Sequence, residues 1–286
     1  MLWGVIGNKG LLGTDLEREL LSSGHQTIGF NRTNLDLSQS LSGLAQEISS
    51  HGQFDVLVNA VAYTAVDKAE SEPDQAMLVN GEYAGKLALV SKELGARFVH
   101  ISTDYVFDGS SDTPYQPDQK TNPQSSYGRS KLAGEIAVQE SSADYQIFRT
   151  AWLYGANGPC FPKTVQRVLG ESGSMKVVAD QIGQPTWTVD LAKLIIAHSK
   201  LEQAARPRIV HGTSSGMASW LDFAFEIATS LGYDLEKVVQ PITTADYPTP
   251  AKRPAYSVLD NQNETGLIIR DWRERWQEAA GLVLGK

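Results

Sequence analysis

The chain has 286 residues, 41% of them hydrophobic and 20% charged, which is mass enough for one large α/β unit or two unequal lobes, with no low-complexity tract to mark disorder. Its 25 basic and 33 acidic side chains give a formal charge of −8, which argues against nucleic acid as a partner but leaves room for a diphosphate-bearing small molecule held by a few cations and a helix N-terminus. A single cysteine, Cys160, excludes an intramolecular disulfide and a thiolate metal centre, and no run of about eighteen apolar residues points to a membrane, so the expected location is the cytoplasm.

Leu2 to Ile6 is a short apolar run closed by glycine, and Leu11 to Leu21 carries apolar residues at helical spacing, which reads as strand, turn and helix. Gly7, Gly10 and Gly13 form G-x-x-G-x-x-G in that turn. Glycine there permits a tight backbone and close approach to a pyrophosphate, and the helix N-terminus attracts the phosphates. A second strand, Gln26 to Phe30, ends in Asn31-Arg32 without the acid that an NAD-selective site uses on the adenosine ribose. Arg32 can instead meet a 2′-phosphate, which favours NADPH over NADH. Asp36 is a candidate adenine contact or a loop-capping aspartate.

Further strands are predicted at Phe54 to Val61, Arg97 to Ile101 and Tyr145 to Phe148, with long helices at Asp74 to Leu94 and Ser126 to Glu140. The alternation predicts an α/β fold with a doubly wound parallel (Rossmann) sheet joined by right-handed crossovers. After Thr150, proline- and glycine-rich stretches predict a smaller α/β lobe at the sheet's carboxyl edge. The division expected is a dinucleotide-binding domain at 1–150, rejoined by about 176–205, and a second lobe made of 151–175 and 206–286.

Ser102-Thr103 closes the fourth strand, where open α/β sheets present side chains to ligands. Tyr127 and Lys131 stand four apart and so share one face of a helix. An ammonium beside a phenol favours the phenolate, which eases proton exchange with a carbonyl substrate.

The order of the glycine turn, Asn59-Ala-Val-Ala62, Ser102-Thr-Asp-Tyr-Val-Phe107 and Tyr127-x-x-x-Lys131 resembles the extended short-chain dehydrogenase/reductase family. The stretches 62–76, 102–109, 127–135, 148–155, 180–186 and 247–254 are similar to its branch that reduces dTDP-4-dehydrorhamnose. The resemblance implies that Thr103, Tyr127 and Lys131 are catalytic, that Gly10, Leu11 and Leu12 line the pyrophosphate, and that Asp36 and Leu37 flank adenine. It also implies that Ala60, Ala62, Tyr63 and Thr64 border the middle of the cofactor, that Lys131 meets the nicotinamide ribose, and that Thr103, Asp104 and Trp152 contact a sugar nucleotide. The implied reaction is reduction of the C4 ketone of dTDP-4-dehydro-L-rhamnose to dTDP-L-rhamnose, with hydride from NADPH or NADH and a proton from Tyr127.

Some relatives hold Mg²⁺ with glutamates at a dimer contact, but here Val189 stands at the second position beside Asp190 and no third acid is evident, so no metal site is expected. Asp15 then reads as an ordinary acid in the first helical turn, and the assembly as a monomer or homodimer. Arg253 is a candidate substrate-phosphate contact or a surface ion pair, and Arg149 is expected to pair with an internal carboxylate such as Asp104. Trp152 is read as stacking on the base, walling the sugar pocket or packing. A dehydratase would place an acid after Asp104, where Tyr105 stands. A reductase of another NDP-4-keto-6-deoxysugar, and a non-catalytic cofactor-binding regulatory subunit, remain as alternatives.

Overall fold

The computed structural model describes residues 1–141, 143–262 and 265–286. Its first half alternates as the sequence rhythm predicts: β1 (Leu2–Ile6), α1 (Leu11–Ser22), β2 (Gln26–Phe30), α2 (Leu41–Ser49), β3 (Val56–Asn59), α3 (Pro73–Met77), α4 (Tyr83–Glu93), β4 (Arg97–Thr103), α5 (Ser126–Glu140) and β5 (Tyr145–Thr150). A parallel sheet runs β2-β1-β3-β4-β5, and its sixth strand, beyond β5, comes from much later in the chain.

Alternate residues of each strand face opposite sides, and both sides are covered. Trp3, Val5, Val58 and Val99 pack on Leu12, Leu16 and Leu20 of α1, while Ile6, Leu57, Phe98 and Ile147 pack on Leu44, Leu87, Ala88 and Val138. Burial on both faces explains why these strands read as continuous apolar runs.

The predicted helix 74–94 is broken into three parts. A π-helical turn, Leu78–Glu82, lies between α3 and α4. The extra residue turns Asn80 inwards, and glycines let this segment press against α5: a Cβ on Gly134 would strike the Asn80 carbonyl, and one on Gly85 would meet Ala137. Such bulges sit at functional sites more often than elsewhere.

The second half is built from short pieces: β6 (Leu153–Tyr154), α6 (Phe161–Ser172), β7 (Met175–Val178), β8 (Ile182–Gly183), β9 (Thr186–Trp187), α7 (Thr188–Ser199), β10 (Ile209–His211), β11 (Ser214–Ser215), β12 (Ala218–Ser219), α8 (Trp220–Leu231), α9 (Leu235–Val238), β13 (Val239–Ile242), β14 (Ile269–Asp271) and α10 (Trp272–Leu284). Helix α7 lies on α1, and β10 is the sixth strand of the large sheet, so residues 209–211 belong with the sheet although they fall within the stretch 206–286 expected in the second lobe. Elsewhere in this half α6, α8 and α10 enclose a separate aromatic core of Tyr154, Phe223, Trp272 and Trp276. No described helix is long and apolar enough to cross a membrane.

Candidate active site

The order of the sheet reverses between β1 and β3, so the crossovers leaving these strands diverge and open a crevice at their carboxyl ends. The glycine turn lies there. Gly7 has φ +94°, and a Cβ on it would press on the Ala60 backbone; a Cβ on Gly13 would run into the Gly7 carbonyl. Helix α1 is capped by Gly10 with no side-chain hydrogen bond, and helix geometry leaves the N–H groups of Leu11, Leu12 and Gly13 without intrahelical acceptors. Leu12 contributes only backbone to this crevice, because its side chain is buried in the core beneath the sheet; Leu11 packs towards Gly155 and Gly158.

Beyond β2, Arg32 is exposed and Asp36 is occupied locally. The Asp36 carboxylate accepts from the Ser38 amide at 2.9 Å, and this bond and the Ser38 hydroxyl hold it below the usual carboxylate range. Lys86 fastens the same loop by donating to the carbonyls of Leu37 (3.0 Å) and Gln39 (2.9 Å). Asn31 donates to Asn8, which in turn donates to Glu17.

The segment from Ala60 to Thr64 crosses the crevice, held by three bonds. Ala60 donates to the Ile6 carbonyl at 2.8 Å, Val61 to the Asn59 side chain at 3.0 Å, and Tyr63 to the Asn80 side chain at 2.8 Å. Asn80 also donates to the Tyr63 carbonyl and to Ser130 of α5. This buried amide, turned inwards by the π turn, was not legible in the sequence beyond the glycines Gly81, Gly85 and Gly134 that mark its close packing. Tyr63 directs its hydroxyl to Glu72 at 2.8 Å.

Strand β4 runs two residues past its predicted end, carrying Ser102 and Thr103 to the sheet edge, and Thr103 caps the 3₁₀ turn Asp104–Val106. Helix α5 starts beside it, capped by Ser125, whose hydroxyl accepts from Gly128 at 3.1 Å. Gly128 allows the first turn of α5 to press on the Tyr105 carbonyl, and this sets Tyr127 edge-on to Tyr105 at 5.5 Å between ring centres. Thr103, Asp104, Tyr105 and Tyr127 are thereby brought together.

One electrostatic expectation needs correction, and another is met with a different partner, since Arg149 pairs with the internal carboxylate of Glu135. Tyr127 is not lowered by Lys131: burial pushes its pKa up, Asp104 and Tyr105 push it further, and hydrogen bonding with Thr103 pulls it back. Lys131 is 1% exposed, donates to the Ile101 carbonyl at 2.5 Å, and is pushed down to about 8 by burial against the opposing pull of Glu135. Arg149 does not pair with Asp104. It forms a bidentate buried pair with Glu135 at 2.9 and 2.7 Å, and Glu135 also accepts from Ser102 at 2.5 Å. Among the described residues no cation pairs with Asp104, and burial raises it to about 6.

Just past β5, Trp152 adopts a left-handed backbone, φ +45°, and stacks on Trp220 at 3.6 Å with 9° between planes. Trp220 walls a cavity of about 550 Å³ together with Phe161, Arg167, Lys176, Tyr247 and Arg253. Arg253 donates to Asp67 at 2.7 Å and to the Tyr105 hydroxyl at 3.3 Å, so it bridges the cavity and the tyrosine cluster.

Asp15 is not an ordinary first-turn acid. It is buried and accepts from Thr188, from Asn157 at 2.9 Å and from Arg18 at 2.9 Å, tying α1 to α7. Asp190 pairs with Arg275 of α10 at 2.8 and 3.0 Å. Among the described residues no group of three His, Cys, Asp or Glu is placed to hold a metal ion.

Strand order, glycine turn and tyrosine helix are together those of a Rossmann-like reductase, the class that this architecture defines. Within it the chain belongs to the RmlD substrate binding domain family, which matches residues 3–283. A dTDP-4-dehydrorhamnose reductase of Burkholderia thailandensis is 41% identical over 287 residues, covering 94% of this chain and 94% of its own. A probable dTDP-4,6-dihydroxy-2-methyloxan-3-one 4-ketoreductase of Streptomyces antibioticus is also 41% identical, over 98% of this chain and 94% of its own. Among solved structures, the dTDP-4-dehydrorhamnose reductase of Bacillus anthracis in complex with NADP superimposes with a TM-score of 0.89 at 33% identity, covering 97% of this chain and 98% of its own.

Proposed function

We propose that this chain is an NADPH-dependent ketoreductase that converts dTDP-4-dehydro-L-rhamnose to dTDP-L-rhamnose. The observation that carries the reading is the meeting of Thr103 and Tyr127 at the carboxyl edge of β4, beside a glycine turn whose crevice only a backbone without side chains leaves open. Full-length identity of 41% to a reductase of this substrate, and the NADP held by a structural neighbour, support it.

The residues present fit a dinucleotide. Gly7, Gly10 and Gly13 form a cradle that a Cβ would fill, and the free N–H groups opening α1 suit a pyrophosphate. Arg32, exposed after β2, suits a 2′-phosphate, with Asp36 and Leu37 beside adenine. Ala60, Ala62, Tyr63 and Thr64 border the cofactor's middle, and Lys131 meets the nicotinamide ribose. When bound, the cofactor supplies hydride to the substrate carbonyl carbon.

Tyr127 is the general acid. Its raised pKa keeps it protonated at neutral pH, as a donor to a developing alkoxide requires. Thr103 orients the carbonyl, and Asp104 and Trp152 contact the sugar. The 550 Å³ cavity takes the nucleotide end, with aromatic walls for the base and Arg253 for the diphosphate. In this reading 1–150, rejoined by about 176–205 and by β10, forms the cofactor domain, and the remainder the sugar-nucleotide lobe. The setting is cytoplasmic, with the chain acting as a monomer or homodimer.

The identity to the Streptomyces antibioticus ketoreductase is as high, so a second reading is another dTDP-4-keto-6-deoxysugar. A panel of 4-keto sugar nucleotides, each with NADPH and NADH and with products identified by NMR, separates the two. The proposal expects the highest kcat/KM for dTDP-4-dehydro-L-rhamnose with NADPH; a higher value for another 4-keto sugar overturns the substrate assignment.

A further inference from the structure

A long arginine serves a diphosphate well only if something outside the contact holds it in place. We propose that Asp67 is the positioning residue that fixes Arg253 for the diphosphate of the sugar nucleotide; this rests on the ketoreductase reading above.

Two tethers run from the one carboxylate. Asp67 Oδ2 accepts from Arg253 Nη2 at 2.7 Å, and Oδ1 accepts from the Ala251 backbone amide at 3.3 Å. Asp67 thus holds both the guanidinium and the backbone two residues before it. On the other flank, Pro254 packs so closely on Gly109 that a Cβ there would strike it. Arg253 also donates through Nη1 to the Tyr105 hydroxyl at 3.3 Å. A guanidinium carries five N–H donors in a planar fork, and among the described residues these bonds use two. The other donors are left for phosphate oxygens, on a side chain that lines the 550 Å³ cavity beside Tyr247 and Thr249.

Asp67 itself stands on a fixed platform. It precedes the 3₁₀ turn Lys68–Glu70, and the Glu70 carboxylate accepts from the Ser126 amide at 2.7 Å and from the Ser126 hydroxyl at 2.9 Å. Ser126 opens α5 and adjoins Tyr127. The turn therefore keeps the grip on the diphosphate in register with the proton donor. The Asp67 and Arg253 side chains are 39% and 26% exposed, and a pair so placed adds little to folding stability. Its value lies in orientation, since an arginine already ordered spares the ligand the cost of freezing that side chain. The carboxylate also subtracts from the positive charge offered to phosphate. Solvent screens that repulsion at a pair this exposed, so orientation prevails.

Calorimetric titration of dTDP into the ligand-free protein reads this without catalysis. Asp67→Ala is expected to bind dTDP about 10-fold more weakly, with a melting temperature close to wild type. Asp67→Asn, which keeps one oxygen to accept from Arg253, is expected to recover to within about 3-fold of wild type. In steady state, KM for dTDP-4-dehydro-L-rhamnose is expected to rise about 10-fold in Asp67→Ala while kcat and KM for NADPH stay within about 2-fold. They stay because Glu70 still holds Ser126 and Asn80 still holds Tyr63. Unchanged or tighter dTDP binding by Asp67→Ala, or kcat falling as both KM values rise, overturns the role of Asp67 and leaves the reductase reading intact. A wild type that loses dTDP affinity on this substitution yet reduces no 4-keto sugar removes the reductase reading and leaves the Asp67 assignment. A wild type that binds no dTDP removes both.

Discussion

Tyr127 and Lys131 share a face of α5 yet do different electrostatic work. The spacing of four predicts the shared face correctly, but the effect expected from it, a phenol lowered by a neighbouring ammonium, is reversed by burial. Burial depends on which elements close over the pair, and no i, i+4 pattern encodes that. Asp104 illustrates the same point. Its native pKa of about 6 lies above the ordinary value of 3.8, so between these values the folded state binds more protons than the unfolded one, and stability falls as pH rises through that window. Asp104→Asn removes this term. The variant is predicted to be more stable than wild type at pH 7, by about 1 to 3 kcal/mol, with the difference vanishing below about pH 4. Urea midpoints at the two pH values check it, and a variant less stable at pH 7 contradicts the burial argument.

At the scale of elements, strand and helix order was legible because alternating apolar runs and helical periods need no knowledge of tertiary contacts. The ends were less so: the reach of β4 to Thr103 was missed because the Ser-Thr pair is polar and leaves the apolar run that marked the strand. The π turn at Leu78–Glu82 was hidden, since apolar periodicity survives one inserted residue. Its packing was partly encoded in Gly81, Gly85 and Gly134, which mark close helix contact only once the partner helix is known. Gly134→Ala is predicted to push α5 from the Asn80 carbonyl, to cost about 1 to 3 kcal/mol, and to raise KM for NADPH through the loosened Tyr63 segment. Thermal unfolding and initial rates test both parts; unchanged KM would separate the π turn from the cofactor site.

Across the whole molecule, elements are tied together by buried ion pairs that chain order conceals. Arg149 and Glu135 are 14 residues apart and Asp190 and Arg275 are 85 apart, so neither pairing could be read from local pattern. The lobe's short strands escaped detection for a similar reason: two residues are too few to show alternation. Arg275 links α10 to the start of α7, and both side chains are largely buried. Arg275→Ala leaves Asp190 unpaired in a poorly hydrated place and is predicted to cost about 3 to 5 kcal/mol, read as a lowered midpoint in guanidinium, with the far-UV spectrum otherwise native.

In the proposed reaction the architecture serves proton delivery to a carbonyl, and Tyr127 is where that proposal is most exposed. Tyr127→Phe removes one oxygen and keeps the ring's edge-on contact with Tyr105, so the fold and melting temperature are expected to be unchanged. The measurement is NADPH oxidation at about 340 nm with dTDP-4-dehydro-L-rhamnose, wild type against Tyr127→Phe. Turnover by the wild type and a loss of about 10² to 10⁴-fold in the variant, with NADPH binding retained, is the predicted result. Turnover that survives the substitution unchanged would contradict the assignment of Tyr127 as the acid.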